Sequence, residues 1–374
     1  MTTKKRPRII VAGNATIDAF VFDPFTVSDD GINLHVQSDW VTESFRVDDA
    51  PVKLGYKHRV NQPLDMKVMG LKHQNRPGGG GYNSISAISE LRLNWSPHLI
   101  YIDVSYAHML ITRGLRENGI THHFFEQRPV PTNIILGGRE DKILLKGPQL
   151  GRVDPDEEHV LTIADLLKGA DSMLINSVKD PGFVSQYIEK AKQNNISLYF
   201  VVTTSLDRQF LKDNVFPAGV LILNYDDLWH MHHDKDPNLD EKEKLELAKE
   251  TLANIRRDGL SPYNIYVTLG KNGMYCSSPL ESDKFYHVEL RQQSAKQVKR
   301  SVFSNSGSTL GAGDVTAGSI LAYERAFEHG ILSVERNQYM PQIAMLASQA
   351  AIEHLGCKKY FDFDCFQVRE INFR

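Results

Sequence analysis

Ser308-Thr309-Leu310-Gly311-Ala312-Gly313-Asp314-Val315-Thr316-Ala317-Gly318-Ser319-Ile320-Leu321-Ala322-Tyr323 joins a glycine-rich turn to a helix of small and apolar residues. Small residues let the backbone approach a ligand closely. The first amides of the following helix have no internal acceptor, and the helix dipole adds positive potential there, which makes an anion hole. An acid at the end of that turn repels the anion unless it has a task. Abstracting a proton from an attacking hydroxyl is such a task. The plainer reading of Gly-x-Gly-Asp is a tight turn whose aspartate caps the helix. The rest of the chain has to decide between the two.

Upstream, Val267-Thr268-Leu269-Gly270-Lys271-Asn272-Gly273 closes an apolar run with a glycine-bearing turn, and Val220-Leu221-Ile222-Leu223-Asn224 leads into Tyr225-Asp226-Asp227. Arg76-Pro77-Gly78-Gly79-Gly80-Gly81-Tyr82-Asn83 feeds four glycines into a segment with helical apolar spacing. The first apolar run ends in Gly13-Asn14-Ala15-Thr16-Ile17-Asp18. A carboxylate just beyond a strand's C-terminal end stands where α/β sheets collect ligands. Each of these segments taken singly also reads as an ordinary turn.

Short apolar runs without alternation recur at 9–12, 99–104, 172–175, 198–202, 220–223 and 265–269, the pattern of strands buried on both faces. Helical periodicity fills 156–168 and 240–258, with Gly259 as a stop. Strands alternating with helices predict an α/β fold with a mostly parallel sheet. The stretch from 20 to 71 alternates polar and apolar residues and predicts exposed strands outside that sheet. Residues 207–216 and 291–305 read as surface connections. The histidines of Trp229-His230-Met231-His232-His233 read as a helix end or surface loop. His122, His123, Phe124 and Phe125 read as strand residues.

The chain has 374 residues, 41% of them hydrophobic, and a net charge of −3, which gives no electrostatic case for binding nucleic acid. Three cysteines without Cys-x-x-Cys spacing argue against disulfides and a structural zinc site. No apolar stretch approaches a membrane span, and residues 9–12 are too few for a signal-peptide core, so a cytoplasmic protein without membrane contact is expected. Gly-x-x-x-x-Gly-Lys-Ser/Thr is missing from the sequence, and Gly13 opens no dinucleotide fingerprint.

Taken together, the motifs resemble the PfkB/ribokinase family of carbohydrate and nucleoside kinases. Its C-terminal signature, Asp-Thr-x-Gly-Ala-Gly-Asp, matches at Thr309, Gly311, Ala312, Gly313 and Asp314. Its N-terminal Gly-Gly-x-Gly-x-Asn matches from Gly78 or Gly79 to Asn83. The matches fall in family order from residue 9 to about 356. The resemblance implies a Rossmann-like α/β/α sandwich, one kinase domain over 1–374, with a small β lid from segments near 19–75 and 106–145. Lids of this family often pair into homodimers. It further implies Asp314 as general base with an anion hole at Gly311, Ala312 and Gly313. Substrate hydroxyls would be held by Asp18, Thr16, Gly79, Gly80 and Asn83, with Asn14 a weaker candidate. ATP would be bound by Asn224, Thr268, Gly270, Gly273 and Ser348, and Mg²⁺ organised by Asp227, with Asp226 as the alternative.

Three departures stand out. Ser308 replaces an aspartate near the family's monovalent-cation site, Gly80 stands where sugar kinases often carry lysine, and Asp227 replaces glutamate. The expected reaction is ATP-dependent phosphorylation of a primary hydroxyl on a sugar-like molecule. A nucleoside kinase and a binding protein without turnover are the alternatives. Arg76, Arg113 and Arg139 are candidate ligands if the acceptor already carries a phosphate.

Overall fold

The computed structural model describes residues 6–21, 23–39, 41–47, 51–52, 57–60, 64, 71–101, 108–125, 132–136, 143–146, 155–203, 205–230, 241–281, 284–292, 294–296, 311–333, 338–354 and 363–372. Ser308, Arg139, His232 and His233 lie outside them.

β1 (Arg8–Gly13) is buried almost throughout and is the third strand from one edge of a ten-stranded sheet. On one side it pairs in parallel with β8 (Ser96–Tyr101), and β8 pairs with β9 (Thr121–Phe124). On the other side follow β12 (Ser172–Asn176), β13 (Ser197–Val201), β14 (Val220–Asn224) and β15 (Ile265–Thr268), all parallel. Three antiparallel strands, β16 (Met274–Ser277), β17 (Lys284–Leu290) and β18 (Phe366–Asn372), complete that edge.

Every second residue of β1 serves a different layer. Ile9 and Val11 join one apolar core with α1 (Gly80–Glu90), α2 (His108–Glu117), α7 (Ala312–Glu328) and α8 (Tyr339–His354). Ile10 and Ala12 join the other with α3 (Glu157–Leu167), α4 (Pro181–Gln193) and α6 (Glu241–Arg257). Between β14 and α6 lies the short α5 (Tyr225–His230). Strand side chains alternate faces, so helices on both sides are what the unbroken apolar runs require. The predicted α/β/α layering is thus realised. The run at 99–104 begins earlier, at Ser96. Residues 207–216 are not an open connection. Asp207 accepts from the Gln209 and Phe210 amides and starts a helical segment that buries Leu211, Val215 and Phe216.

A second, five-stranded sheet runs β6 (Lys57–Arg59), β11 (Ile143–Lys146), β10 (Thr132–Leu136), β2 (Thr16–Val21), β7 (His73–Gly78). A third, three-stranded sheet consists of β3 (Phe25–Val27), β4 (Asn33–Gln37) and β5 (Thr42–Arg46). The two share a core: Ala19, Val21, Ile134, Leu136, Ile143 and Leu145 of the former, Leu34, Val36 and Phe45 of the latter. These sheets correspond to the exposed strands expected outside the main sheet. The stretch from 108 to 124, expected in the lid, instead supplies α2 and β9 to the main layers, because its apolar side chains Ile111, Leu115 and Ile120 pack into the core under β1. Among the described residues no helix is long and apolar enough to cross a membrane.

Candidate active site

The site forms where the strand order reverses. β1 has β8 on one flank and β12 on the other, so the loops after β1 and β12 diverge and leave a crevice at their C-terminal ends. Gly13 and Asn176, the last residues of those strands, are register partners. α1 starts directly above them. Gly13 and Gly81 touch backbone to backbone: a Cβ on Gly13 would come within 2.6 Å of the Gly81 Cα. No larger residue fits at either position. Asn14 then fills the first turn of α1, its Oδ1 accepting from the Gly80 amide at 2.8 Å and its carbonyl from the Gly81 amide at 3.0 Å. The glycine run therefore serves a close approach, and its N-terminal amides are partly spent on Asn14.

α7 is built differently. Gly311, at φ 79°, precedes it without a side-chain cap, so the amides of its first turn keep no intrahelical acceptor. Gly313 is exposed and has open space around it. Asp314 does not cap the helix; it sits inside the first turn. Its Oδ2 accepts from Asn83 Nδ2 at 3.2 Å and its Oδ1 from Asn176 Nδ2 at 3.1 Å. Ser84 Oγ donates to the Asp314 carbonyl at 2.8 Å. α1 and α7 pack closely enough for this because Gly318 faces the Ser84 carbonyl, where a Cβ would collide. Gly311 is equally constrained: a Cβ there would stand 2.7 Å from Asn83 Nδ2.

Asp18 lies on β2, opposite Arg76 of β7 and Asn133 of β10. Its Oδ1 accepts from Asn133 Nδ2 at 2.8 Å and from Thr16 Oγ1 at 3.3 Å. Burial pushes the Asp18 carboxyl above the usual carboxylate range, and the charge of Asp314 adds to that. The Asn133 and Thr16 hydrogen bonds and Lys146 oppose it. β2 and the first turn of α7 thus bring two acids to one crevice.

The expected nucleotide residues collect further along the same edge. Asn224 and Thr268 end neighbouring strands as register partners. Three strand intervals separate β12 from β15, about 14 Å at the usual spacing. Asn224 Oδ1 accepts from the Asp227 amide at 2.8 Å, so it caps α5. Thr268 Oγ1 donates to the Leu223 carbonyl at 3.3 Å. Gly270 and Gly273, both at positive φ, turn β15 into β16, and a Cβ on Gly273 would strike the Val288 carbonyl. Ser348 is partly buried on α8.

Three residues of the site escape a reading of the sequence: Ser84, Asn133 and Asn176. Asn176 has a legible signal, a polar residue ending a buried apolar run, as Gly13 ends the first. Asn133 and Ser84 have none. The departure at Gly80 finds a physical reason: a Cβ there would collide with Ser177 Oγ and come within 2.8 Å of Asn176 Oδ1. Of the arginines, Arg113 is 77% exposed in an ion pair with Glu117 on α2. Arg76 stacks over Phe20 at 5.0 Å on the lid face that carries Asp18.

No family model matches the sequence, and no curated protein matches it. Solved structures do. Adenosine kinase from Schistosoma mansoni in complex with 2-fluoroadenosine aligns with TM-score 0.64 at 15% identity, over 96% of this chain and 98% of that one. Ribokinase from Cryptococcus neoformans in complex with ADP aligns with TM-score 0.58 at 15% identity, over 91% and 93%. Adenosine kinase from Sinorhizobium meliloti gives 0.58 at 13% identity, over 93% of both chains. The chain has the ribokinase-like fold, shared over 91–96% of its length with these sugar and nucleoside kinases, in agreement with the resemblance its motifs carry.

Proposed function

We propose that this protein is an ATP-dependent kinase that phosphorylates a primary hydroxyl of a sugar or sugar-like small molecule, with Asp314 as general base. The observation that carries this reading is the setting of Asp314 in the uncapped first turn of α7. Its carboxylate is oriented by two amides, beside free helix-terminal N–H groups and across from Asp18. An acid that merely capped the helix would spend its oxygens on the helix amides.

In this reading the acceptor's hydroxyls bind to Asp18, Thr16, Asn83 and the backbone of Gly79, with Gly80, whose amide Asn14 already holds, assigned by resemblance alone, and Asn133 holds Asp18 in place. Asp314 takes the proton of the attacking hydroxyl as the bond to the γ-phosphorus of ATP forms. The amides at Gly311, Ala312 and Gly313 stabilise charge on the transferred phosphoryl oxygens, and ADP leaves with the electrons of the broken phosphorus–oxygen bond. ATP lies towards Asn224, Thr268, Gly270 and Gly273, with Ser348 assigned by resemblance alone. Magnesium keeps most of its waters, which suits the single exposed cap of Asn224 and Asp227 acting through water. The ion supplies charge neutralisation at the phosphates. A cytoplasmic location accords with ATP use.

A nucleoside is the second acceptor class, favoured by the alignment with adenosine kinases. The test is ATP-to-ADP turnover with ribose, fructose, fructose 6-phosphate and adenosine, each with wild type and Asp314→Asn. One acceptor should support turnover that falls about 10²–10⁴-fold in the variant. Turnover indifferent to the substitution would reject Asp314 as base. ATP binding without turnover on any acceptor would favour a binding protein.

A further inference from the structure

Asn176 is fully buried at the end of β12, and its Nδ2 faces three acceptors: the Gly80 carbonyl at 3.0 Å, Ser84 Oγ at 2.9 Å and Asp314 Oδ1 at 3.1 Å. An amide nitrogen has two hydrogens, so the three acceptors compete. The Gly80 carbonyl stands in the first turn of α1, where the helix itself supplies its donor, the amide four residues on. Ser84 Oγ gives its own hydrogen to the Asp314 carbonyl and is left as an acceptor. The Gly80 carbonyl thus has least need of Asn176, and the two hydrogens fall naturally to Ser84 Oγ and Asp314 Oδ1.

The far side of the Asn176 amide is fixed as well. Its Oδ1 accepts from Ser177 Oγ at 3.0 Å, and the Gly80 carbonyl and Asp314 Oδ1, which can only accept, settle that the other end of the side chain carries the hydrogens. Glycine at position 80 leaves the space the amide needs, since a Cβ there would press on Oδ1 at 2.8 Å. The side-chain torsion of an aspartate about its last bond is broad and two-fold, so an unheld carboxylate samples many orientations. Here each of its oxygens is pinned from a different element, Oδ2 by Asn83 of α1 and Oδ1 by Asn176 of β12.

We infer that Asn176 is a positioning residue for Asp314: by donating to Oδ1 it fixes the carboxylate plane and leaves a lone pair of Oδ2 directed at the acceptor's hydroxyl. This rests on the reading of Asp314 as the base. The bland competitor is an amide that only satisfies buried polar groups. That role would make Asn176 matter equally whether or not Asp314 is an acid.

The experiment is a double-mutant cycle over wild type, Asn176→Ala, Asp314→Asn and the double variant, with Asn176→Asp as an isosteric fifth protein. Turnover is read with ATP and each of adenosine, ribose and fructose 6-phosphate, with water as acceptor in the blank; urea midpoints are read on all five proteins without any acceptor. Asn176→Ala is expected to lower kcat about 10- to 100-fold, the scale of a misplaced reacting group, with KM for ATP unchanged. In the Asp314→Asn background the same change should cost nothing further, and the urea midpoints should be non-additive. Asn176→Asp, which puts a second carboxylate against Oδ1, should lose at least as much and shift the acid limb of the pH–rate profile upward. An unchanged kcat, equal losses in both backgrounds, or additive midpoints would overturn the inference. Full activity in Asp314→Asn defeats the base assignment itself, whereas an inactive Asp314→Asn beside an unimpaired Asn176→Ala defeats only the role of Asn176.

Discussion

Asn133 donates its side-chain amide to Asp18 Oδ1 at 2.8 Å across 115 positions of sequence, tying β10 of the five-stranded sheet to β2, the strand that follows β1. The bond holds an acid that burial has made reluctant to ionise. For such a group the folded form keeps its proton to a higher pH than the unfolded chain, whose value is near 3.8. The native state therefore binds more protons in that window, and this contribution to stability falls as the pH rises from 3.8 through the folded value.

Asp18→Asn should remove that penalty while preserving an acceptor for Asn133 and Thr16. At pH 7 we expect a gain in urea-unfolding stability, together with a large rise in acceptor KM, the trade of stability for function seen at polar sites. A variant that is less stable at pH 7 would contradict the burial argument.

Gly318→Ala separates local from tertiary reasoning. An alanine in the middle of a helix is worth about 1 kcal/mol over glycine. Here its Cβ would drive into the Ser84 carbonyl and push α1 from α7. Overpacking of this kind costs about 1–3 kcal/mol. We expect a lower thermal midpoint and a lower kcat, since Ser84 also holds the Asp314 backbone. A raised midpoint would refute the close crossing.

His98 on β8 is buried, bonded through Nδ1 to Thr121 Oγ1 at 2.7 Å, and its pKa is pushed down to about 3 by burial, with Arg8, His123 and His122 adding to the effect. The unfolded ring takes up a proton near pH 6.5 and the folded one does not. Stability is therefore lost as the pH falls from about 6.5 towards about 3, at up to about 1.4 kcal/mol per pH unit. Urea unfolding of His98→Gln between pH 7 and pH 4 should show a shallower slope than wild type. Equal slopes would show that another group carries the acid lability.

The resemblance raised a homodimer through the lid. The apolar face of the five-stranded sheet is already covered by β3, β4 and β5 of the same chain, with Leu34, Val36 and Phe45 buried against it. Among the described residues, that face leaves no apolar surface for a second copy to bury. Sedimentation equilibrium at micromolar concentration should give the 42.3 kDa of one chain. A dimer whose protection from hydrogen exchange maps to β2, β7 or β10 would overturn this.

Much of the main sheet was legible because a strand buried on both faces must be apolar at consecutive positions, and the runs at 9–12, 172–175, 220–223 and 265–269 are. The two smaller sheets were legible only as a region. Its polar–apolar alternation gives strands but not their partners, and the inclusion of 108–124 in it failed because helix and strand patterns there say nothing about which sheet they join. Residues 207–216 looked like a connection since their apolar residues follow no α-helical period; the segment instead widens into a π-helical turn over Leu211–Val215.

By itself the sequence determined the layering, the glycine turns and the acids at 18 and 314, because these follow from local periodicity and from residues whose backbone or charge restricts where they stand. Tertiary structure alone decided what surrounds those acids. Asn83, Asn133 and Asn176 come from a helix, a lid strand and a sheet strand far apart in the chain, and an asparagine carries no mark of its hydrogen-bond partner until folding brings one within 3 Å or so.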